Sequence, residues 1–531
     1  MKRILILLFL FLISCKETNV SVVEFESHHI QLNINVDNHS AKLSDSGKMR
    51  VSKGWNLFTL NGSVEIQSFN VEGSEIEYRS FSSKDSSNVP LEFRHKLPHG
   101  NPHEEEQIIA FQSKITAQKS FSISYSGKFY ENVEDVHFSN ENVGREVTAT
   151  ISEQGAYFSP AATYYPMGNE SMASFKLTAN IPDSWESISD GNRLSNETKD
   201  GRKIQSWGNP FKNDGNMFMA APFVTKSTWV DDIEVACYFF EADTGLFDQY
   251  LPATAGYIRQ YSELIGPYPY KRFTVVENFF PTGYGMPAWT LLGQQVIRLP
   301  FIVFTSLGHE VLHNWWGNSV YVDSERGNWC ESATVYGADY RYKLQRSPEA
   351  AKTYRKDILK QYVNYVTEEN DFPIRNFINR TSPETRTIGY NKAMMVYHMI
   401  EEEIGTEPFF EAWKLVNTKH QEQKISWEEW LGAFEETSGK DLSHIIPQWI
   451  EQDGAPILDL KINDASDDFI DFTLLEKSGQ KYRLEVPIHF DSGFDTTVIL
   501  NSPSSSYSMK LAQKANSISV DPDLHLFRRL Y

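Results

Sequence analysis

The sequence predicts an α+β protein of several domains, with a β-rich amino-terminal domain, a mainly helical middle and a small β-domain at the carboxyl end. Residues 20 to 225 contain short apolar–polar alternations separated by Gly, Ser, Asn and Asp, which favours strands and turns. The middle of the chain carries helix-start signals, for example Ser426 followed by Glu429. Beyond residue 456 the period-two alternation returns, as in Leu484, Val486 and Ile488.

Length and charge set further bounds on the protein. A chain of 531 residues is long enough for about three domains. We expect a leader at 1–14, a β-domain at 15–225, a helical domain at 226–455 and a second β-domain at 456–531. The formal net charge of −20 disfavours nucleic acid or an anionic membrane surface as a partner, because both attract basic faces. The sequence gives no indication of the oligomeric state.

The amino terminus has the pattern of an export signal. A basic Met1-Lys2-Arg3 precedes an apolar run from 4 to 13, which is too short to span a bilayer as a helix. The run ends in Leu12-Ile13-Ser14-Cys15, which resembles the bacterial lipobox. That resemblance implies cleavage before Cys15, a lipid on its sulfur, and a membrane-anchored protein of the cell envelope outside the cytoplasm. The alternative is an ordinary signal peptide with an incidental cysteine.

One stretch carries the strongest chemical signal. His309-Glu310-Val311-Leu312-His313 is an H-E-x-x-H pattern, and residues i and i+4 share one face of a helix. His309 and His313 can therefore offer two imidazoles to one zinc ion, while Glu310 can act as general base on a water molecule. The alternative interpretation is a helix with surface histidines.

A catalytic zinc site needs a third protein ligand. One known zinc pattern, H-E-x-x-H-x-x-G-x-x-H, supplies a third histidine as the ligand. Counted from His309, it would have glycine at 316 and histidine at 319, but the chain has Trp316 and Ser319. Glu331 is the predicted ligand, because Asn328 can cap a helix that begins just before it. Glu325, in a polar turn, is the competing candidate.

The motif and its surroundings resemble the M1 family of gluzincin metallopeptidases. The resemblance lies in His309 to Asn318, with its Trp-Trp-Gly-Asn end, and in the Trp-x-Glu of Trp329 and Glu331. It implies a thermolysin-like, mainly helical catalytic domain, one Zn²⁺ ion and a peptide or protein substrate. The family's spacing between the second histidine and the glutamate is one residue longer than the seventeen residues here. A deletion in the turn before Trp329 accounts for the difference.

A second family motif is altered. The family's aminopeptidases carry G-x-M-E-N, whose glutamate holds the free amine of the substrate. Aligned on Met286, the chain has Pro287 in place of that glutamate, and a proline side chain accepts no hydrogen bond. Gly285 and Met286 are still predicted to border the substrate. Glu277 is a candidate replacement for the missing anchor, and a strand surface residue is the alternative.

A third motif predicts an oxyanion donor. Gly389-Tyr390-Asn391-Lys392-Ala393 resembles the family's Y-x-K-G, in which the tyrosine donates to the carbonyl oxygen as it becomes negative. Such a donor is worth roughly 3 kcal/mol of barrier. The alternative for Tyr390 is a core tyrosine. Cys237 and Cys330 are interpreted as separate buried thiols, with a disulfide as the alternative.

These patterns predict a zinc-dependent peptidase of the aminopeptidase type with an altered amine motif. Two alternatives are kept. The missing glutamate favours an endopeptidase or another kind of exopeptidase. A zinc-free binding module on a peptidase fold belongs to a different functional class, and metal analysis distinguishes it from the enzymes.

Overall fold

The computed structural model describes residues 19–84, 89–94, 106–135, 147–169, 172–466 and 468–530. Cys15 and the predicted leader lie outside these residues. No helix within the described ranges is long and apolar enough to cross a membrane. The predicted α+β organisation is confirmed, because β-sheets come first, helices occupy the middle and β-sheets return at the end.

The amino-terminal part is built on a large, mostly antiparallel sheet. Its central strand Glu24–Asn35 buries Ile30, Leu32 and Ile34 and exposes the residues between them, as the alternation predicts. The strands lie in the order Asn192–Lys199, Arg202–Gly208, Ser174–Pro182, Glu24–Asn35, Ser40–Val51, Ala117–Lys128, Val64–Val71 and Ser74–Glu75. Two smaller sheets pack beside it, with strands Val20–Val22, Gly54–Asn61, Glu106–Ser113 and Tyr78–Ser82 in one, and Ala149–Ile151, Ala156–Phe158, Phe218–Ala221 and Glu186–Ser189 in the other.

A mixed sheet separates this β-rich part from the helices. Its strands lie in the order Val224–Val230, Ile233–Phe239, Arg272–Asn278, Trp289–Gly293 and Gly283–Met286. Alternate side chains enter two different cores. Val235 and Val275 pack among the helices, whereas Ala236 and Val276 pack against the amino-terminal strands. The first strand of this sheet begins close to the predicted domain start at 226, and the exact domain boundaries stay predictions.

Most of the helices follow this sheet in the chain. In chain order the α-helices are α1 Leu91–Arg94, α2 Phe247–Ile265, α3 Gln294–Ile297, α4 Ser306–Leu312, α5 Cys330–Val335, α6 Arg341–Arg346, α7 Pro348–Tyr365, α8 Pro383–Arg386, α9 Ala393–Ile404, α10 Thr406–His420 and α11 Trp427–Ser438. Of these, α1 precedes the sheet and α2 lies between its second and third strands. Wider π-helical turns occupy Tyr336–Tyr340, Thr387–Lys392 and Ile446–Ile450. The capping box predicted at Ser426 is present, with Glu429 returning a side-chain bond to the backbone of Ser426.

The carboxyl-terminal β-domain shares one apolar core with the helices. Phe472 and Phe527 belong to the same buried cluster as Met399 of α9. Lys392 Nζ donates to the carbonyl oxygen of Gly454 at 2.8 Å, and so ties the end of a π-helical turn to the segment that leads into this domain. The strands form two small sheets, Leu458–Ala465, Phe469–Glu476 and Ser504–Lys510 in one, and Asp495–Leu500, Leu484–Phe490 and Ile518–Val520 in the other.

Candidate active site

The two histidines of the H-E-x-x-H motif face one point. His309 lies on α4, and His313 follows the last residue of that helix with a backbone that is still right-handed helical. Their Nε2 atoms are 3.2 Å apart. His309 Nδ1 lies 2.8 Å from Asp339 Oδ2, and His313 Nδ1 lies 3.1 Å from the carbonyl oxygen of Trp316. Since both oxygens accept, each Nδ1 donates its proton, and each Nε2 presents a lone pair.

Glu331 completes this group. It lies on the first turn of α5, with Oε2 3.5 Å from His309 Nε2 and 3.6 Å from His313 Nε2. Ligand atoms of a tetrahedral zinc ion with bonds of about 2.0–2.2 Å lie roughly 3.3–3.6 Å apart. The donor set and its spacing therefore fit one zinc ion. The competing Glu325 lies in the exposed turn Ser324–Arg326, outside the group of possible ligands.

A tryptophan cluster sets the distance between α4 and α5. Trp316 follows the second histidine, Trp329 precedes α5, and both rings contact Trp430, at 5.0 and 5.3 Å between centroids. Trp329 Nε1 also donates to the carbonyl oxygen of Ile425 at 2.8 Å. All three indole rings are fully buried, so they act as a rigid spacer. The cluster therefore holds Glu331 beside the two histidines.

The predicted general base, Glu310, lies on α4 and faces the edge strand of the mixed sheet. Glu310 lines a cavity of about 620 Å³ that also contains the three proposed ligands. Burial raises the pKa of the Glu310 carboxyl above its ordinary value. Gly285 lines the same cavity and lies against the Glu310 carboxylate. A carboxylate so placed can accept a proton from a water molecule near the metal ligands.

Met286 differs from its predicted role. Neighbouring residues of a strand point to opposite faces, so Gly285 borders the cavity while Met286 is buried in the core shared with the amino-terminal strands. The residues that replace the rest of the motif lie in the following turn. Ala288 has a φ of +73°, and its N–H donates to Asn314 Oδ1 at 2.8 Å. Pro287 offers only its carbonyl oxygen, which accepts from the N–H of Gly191 at 2.9 Å.

Glu277 is buried and lies outside the lining of the active-site cavity. The strand-surface interpretation is wrong, because the residue has no exposed surface. Its Oε2 accepts from the N–H of Phe240 at 2.8 Å, and burial together with Asp243 raises the pKa of Glu277 to about 8. It is also absent from the lining of the active-site cavity within the described residues. Its contacts are with the backbone of Phe240 and with Asp243, outside that lining, so the geometry gives no support to Glu277 as the replacement for the missing amine anchor.

Tyr390 lies where the motif predicted. It sits in the π-helical turn Thr387–Lys392, is partly buried and lines the cavity. Burial raises the pKa of the Tyr390 hydroxyl, and the negative charge of Glu331 adds to the shift. The hydroxyl therefore stays protonated and can donate a hydrogen bond.

Sequence reasoning missed three charged residues among the described lining of this cavity. Asp339, which orients His309, lies eight positions after Glu331, and Glu331, Val335 and Asp339 all line the cavity. The helical i, i+4, i+8 spacing was the available signal. Arg380 and Arg386 also line the cavity, and no motif pointed to them.

Both described cysteines are free. Cys237 and Cys330 are buried and unbridged, which confirms the interpretation as separate thiols. Cys330 Sγ donates to the carbonyl oxygen of Trp316 at 3.0 Å and lines the active-site cavity.

Comparisons with known proteins identify the region around this site. The Peptidase family M1 domain model matches residues 262–449. The alanine/arginine aminopeptidase of Saccharomyces cerevisiae is 23% identical over 266 residues, covering 46% of this chain and 31% of that protein. Aminopeptidase M1 of Arabidopsis thaliana is 22% identical over 320 residues, covering 55% of this chain and 35% of that protein. Human glutamyl aminopeptidase is 25% identical over 167 residues, covering 30% of this chain and 17% of that protein.

The chain thus spans about a third, or less, of the length of these curated relatives. Among solved structures, Legionella pneumophila aminopeptidase A in complex with aspartic acid aligns with a TM-score of 0.70 and 13% identity, over 96% of this chain and 59% of that chain. The structural likeness shows the fold. Together these comparisons confirm the resemblance to the M1 family that the motifs predicted.

Proposed function

We propose that this M1-like chain is a zinc-dependent peptidase. His309, His313 and Glu331 hold one Zn²⁺ ion, Glu310 is the general base, and Tyr390 donates to the developing oxyanion. The observation that carries the proposal is the convergence of three ligand atoms at 3.2, 3.5 and 3.6 Å beside a carboxylate in one cavity. The M1 domain match over residues 262–449 supports it.

The zinc ion would polarise the peptide carbonyl and lower the pKa of the attacking water. The residues of the chain supply the remaining steps. Glu310 takes a proton from that water as its oxygen bonds to the carbonyl carbon, and then delivers the proton to the leaving amine. The Tyr390 hydroxyl donates to the carbonyl oxygen as the negative charge develops there. Asp339 keeps the His309 ring in one orientation.

The aminopeptidase relatives support removal of amino-terminal residues as the first reading. A different observation favours a second candidate, an endopeptidase or another exopeptidase. Within the described residues, the carboxylates of the cavity lining are Glu310, Glu331 and Asp339. Each already serves the proposed metal centre, and Pro287 adds none. Among the residues that the structure describes, the lining therefore has no spare carboxylate to hold a substrate ammonium group.

The two arginines of the cavity support a substrate that carries a carboxylate near the cleaved bond. A guanidinium group binds a carboxylate through two parallel hydrogen bonds. Arg380 lies with its guanidinium carbon 5.9 Å from the centre of the Tyr390 ring, close to the proposed oxyanion donor. The name of the human relative, a glutamyl aminopeptidase, agrees with a preference for acidic residues in a related protein.

One peptide set tests these readings. Each peptide is prepared with a free and an acetylated amino terminus, and zinc content is measured on the same preparations. Glu310→Gln is the blank, and Glu325→Gln, which changes an exposed glutamate, is the matched control. Cleavage of free peptides alone, one residue at a time, supports an aminopeptidase. Internal cleavage of both forms supports the endopeptidase. A Glu310→Gln variant with the wild-type rate overturns the mechanism, and zinc content near zero under zinc-replete conditions favours the binding module.

The cellular location is proposed from the leader alone. Lipid on Cys15 would hold the protein on a membrane of the bacterial envelope, outside the cytoplasm. Expression in a bacterial host with a labelled fatty acid tests this. We expect label on the wild-type protein and in the membrane fraction, and loss of both in Cys15→Ala. An unlabelled wild-type protein contradicts the anchor.

A further inference from the structure

A second group of nitrogen and oxygen donors lies where α9 meets the carboxyl-terminal segment. His398 and Glu402 are four residues apart on α9 and share one face of that helix. His525, which follows the last strand, faces them from the other side. Its Nδ1 is 3.2 Å from His398 Nε2 and 3.4 Å from Glu402 Oε2. Three possible ligand atoms therefore converge, within 4.8 Å of one another.

A hydrogen bond among these three side chains joins only two of them well at a time. A neutral imidazole nitrogen carries at most one proton and then makes one good hydrogen bond. If a proton lies between His398 Nε2 and His525 Nδ1, these two nitrogens are paired with each other, and the half-exposed Glu402 carboxylate is left to solvent. If His525 Nδ1 donates its proton to Glu402 instead, that proton does not point at His398 Nε2, which then has no partner within the group. One cation at the centre satisfies both nitrogens and the carboxylate together.

We propose that His398, Glu402 and His525 form a second divalent metal site, with zinc as the best match to two imidazoles and one carboxylate. Its two shortest separations, 3.2 and 3.4 Å, resemble those of the first group, at 3.2, 3.5 and 3.6 Å. The third pair is wider, with Glu402 Oε1 3.9 Å from His398 Nδ1. The two sites share no ligand. The proposal therefore goes beyond the peptidase function and does not depend on it.

The surroundings orient the buried ligand. His398 Nδ1 lies 3.3 Å from Tyr340 Oη, which accepts from Arg355 Nη1 at 2.5 Å. Arg355 Nη2 donates in turn to the carbonyl oxygen of Asp523 at 2.7 Å, two residues before His525. With Nδ1 held by the tyrosine oxygen, His398 presents Nε2 to the proposed ion, which is the arrangement that supports histidine ligands elsewhere.

The position of the site gives it a role. His398 and Glu402 belong to the helical part, whereas His525 belongs to the segment that follows the carboxyl-terminal β-domain. A metal ion here fastens that segment onto α9. The site borders a cavity of about 540 Å³, and the Glu402 side chain is half-exposed, so an ion can enter from solvent. His398 of this site contacts Tyr340, and the residue before Tyr340 is Asp339, which orients His309 of the first site.

Metal content of the full chain tests this site. Wild type, Glu402→Gln and His525→Asn are equilibrated with zinc, freed of loosely held ion and analysed by mass spectrometry. His489→Asn is the matched control, because His489 lines the same cavity but is partly exposed and pairs with Asp495. We expect each of the first two variants to hold one zinc equivalent less than wild type, and the control to hold the same amount. Equal content in wild type, Glu402→Gln and His525→Asn overturns the proposal and leaves a histidine–histidine hydrogen bond.

A second measurement guards against misfolded variants. The circular dichroism spectrum of each variant must match that of wild type. Two proteins are then compared, Glu331→Gln, which lacks a ligand of the first site, and the double variant Glu331→Gln with His525→Asn. Added zinc is expected to raise the melting temperature of Glu331→Gln more than that of the double variant. Equal zinc-induced shifts contradict the second site. Because the first site is impaired in both proteins, this outcome is separate from any failure of the proposed peptidase function.

Discussion

Gly285 lies so close to Glu310 that a β-carbon on the glycine would be 2.6 Å from Glu310 Oε2. That distance is far shorter than a van der Waals contact, so a side chain at position 285 must displace the carboxylate. The atom in the way is the end of a flexible side chain and not backbone. A side chain at position 285 is therefore expected to move the carboxylate of the proposed general base and to leave the strand backbone where it is.

Gly285→Ala is expected to lower kcat/KM about tenfold to a hundredfold while zinc content and melting temperature stay close to wild type. The reason is that the Glu310 carboxylate shifts, whereas the strand backbone does not need to. Peptide hydrolysis and metal analysis on one preparation check this. Gly283→Ala is the control, because a β-carbon at Gly283 would meet nothing within 4 Å. Equal rates in the two variants would show that the contact has no catalytic importance.

Asp339→Asn is expected to weaken zinc binding about 10- to 100-fold, because the charged acceptor of the His309 Nδ1 proton is lost. Competition with a chromophoric chelator measures the zinc dissociation constant. Asp357→Asn, an exposed carboxylate on α7, serves as the control. An unchanged dissociation constant in Asp339→Asn would contradict the assigned role of this carboxylate.

Tyr390→Phe is expected to reduce kcat about 10²- to 10³-fold with little change in KM, because its hydroxyl donates to an oxygen that becomes negative only during the reaction. Steady-state kinetics with a chromogenic peptide measure both constants. Tyr365→Phe, on the exposed end of α7, controls for the loss of a hydroxyl elsewhere. A change confined to KM would instead place Tyr390 in substrate binding.

Glu277→Gln is expected to change the pH dependence of stability and not the kinetics. Burial with Asp243 nearby raises the pKa of Glu277 to about 8 from an ordinary 4.5. A raised folded-state pKa contributes stability below about pH 4.5 that is lost as pH rises through 8. The melting temperature of the variant should therefore gain on wild type between pH 5 and 9, whereas exposed Glu368→Gln should follow wild type. A specific rise in KM for free-amine peptides would restore Glu277 as the amine anchor.

Arg380→Gln is expected to raise KM about tenfold for peptides with aspartate or glutamate beside the cleaved bond, and much less for alanine peptides. The physical reason is the loss of a charge-assisted pair between guanidinium and carboxylate. Competition between an acidic and a neutral peptide in one reaction measures the ratio directly. An equal loss for both peptides would mean that Arg380 acts through its contact with the Tyr390 ring.

The sequence by itself determined the features that depend on neighbours along the chain. The i, i+4 spacing of His309 and His313 places both imidazoles on one face of whatever helix forms there, and period-two alternation does the same for the strand that contains Ile30 and Leu32. The choice of Glu331 over Glu325 also followed from a local signal, the helix start near Asn328, whose Oδ1 accepts from the N–H of Cys330 at 2.9 Å.

Only the tertiary structure decided what depends on contacts between distant segments. Alternation could not show which face of the edge strand meets the cavity, so Gly285 and Met286 received one role and occupy two environments. No local pattern links His398 to His525, which are 127 residues apart and meet only because the carboxyl-terminal β-domain packs on α9. Local periodicity specifies the face on which a residue lies, and the packing of one element on another specifies what that face touches.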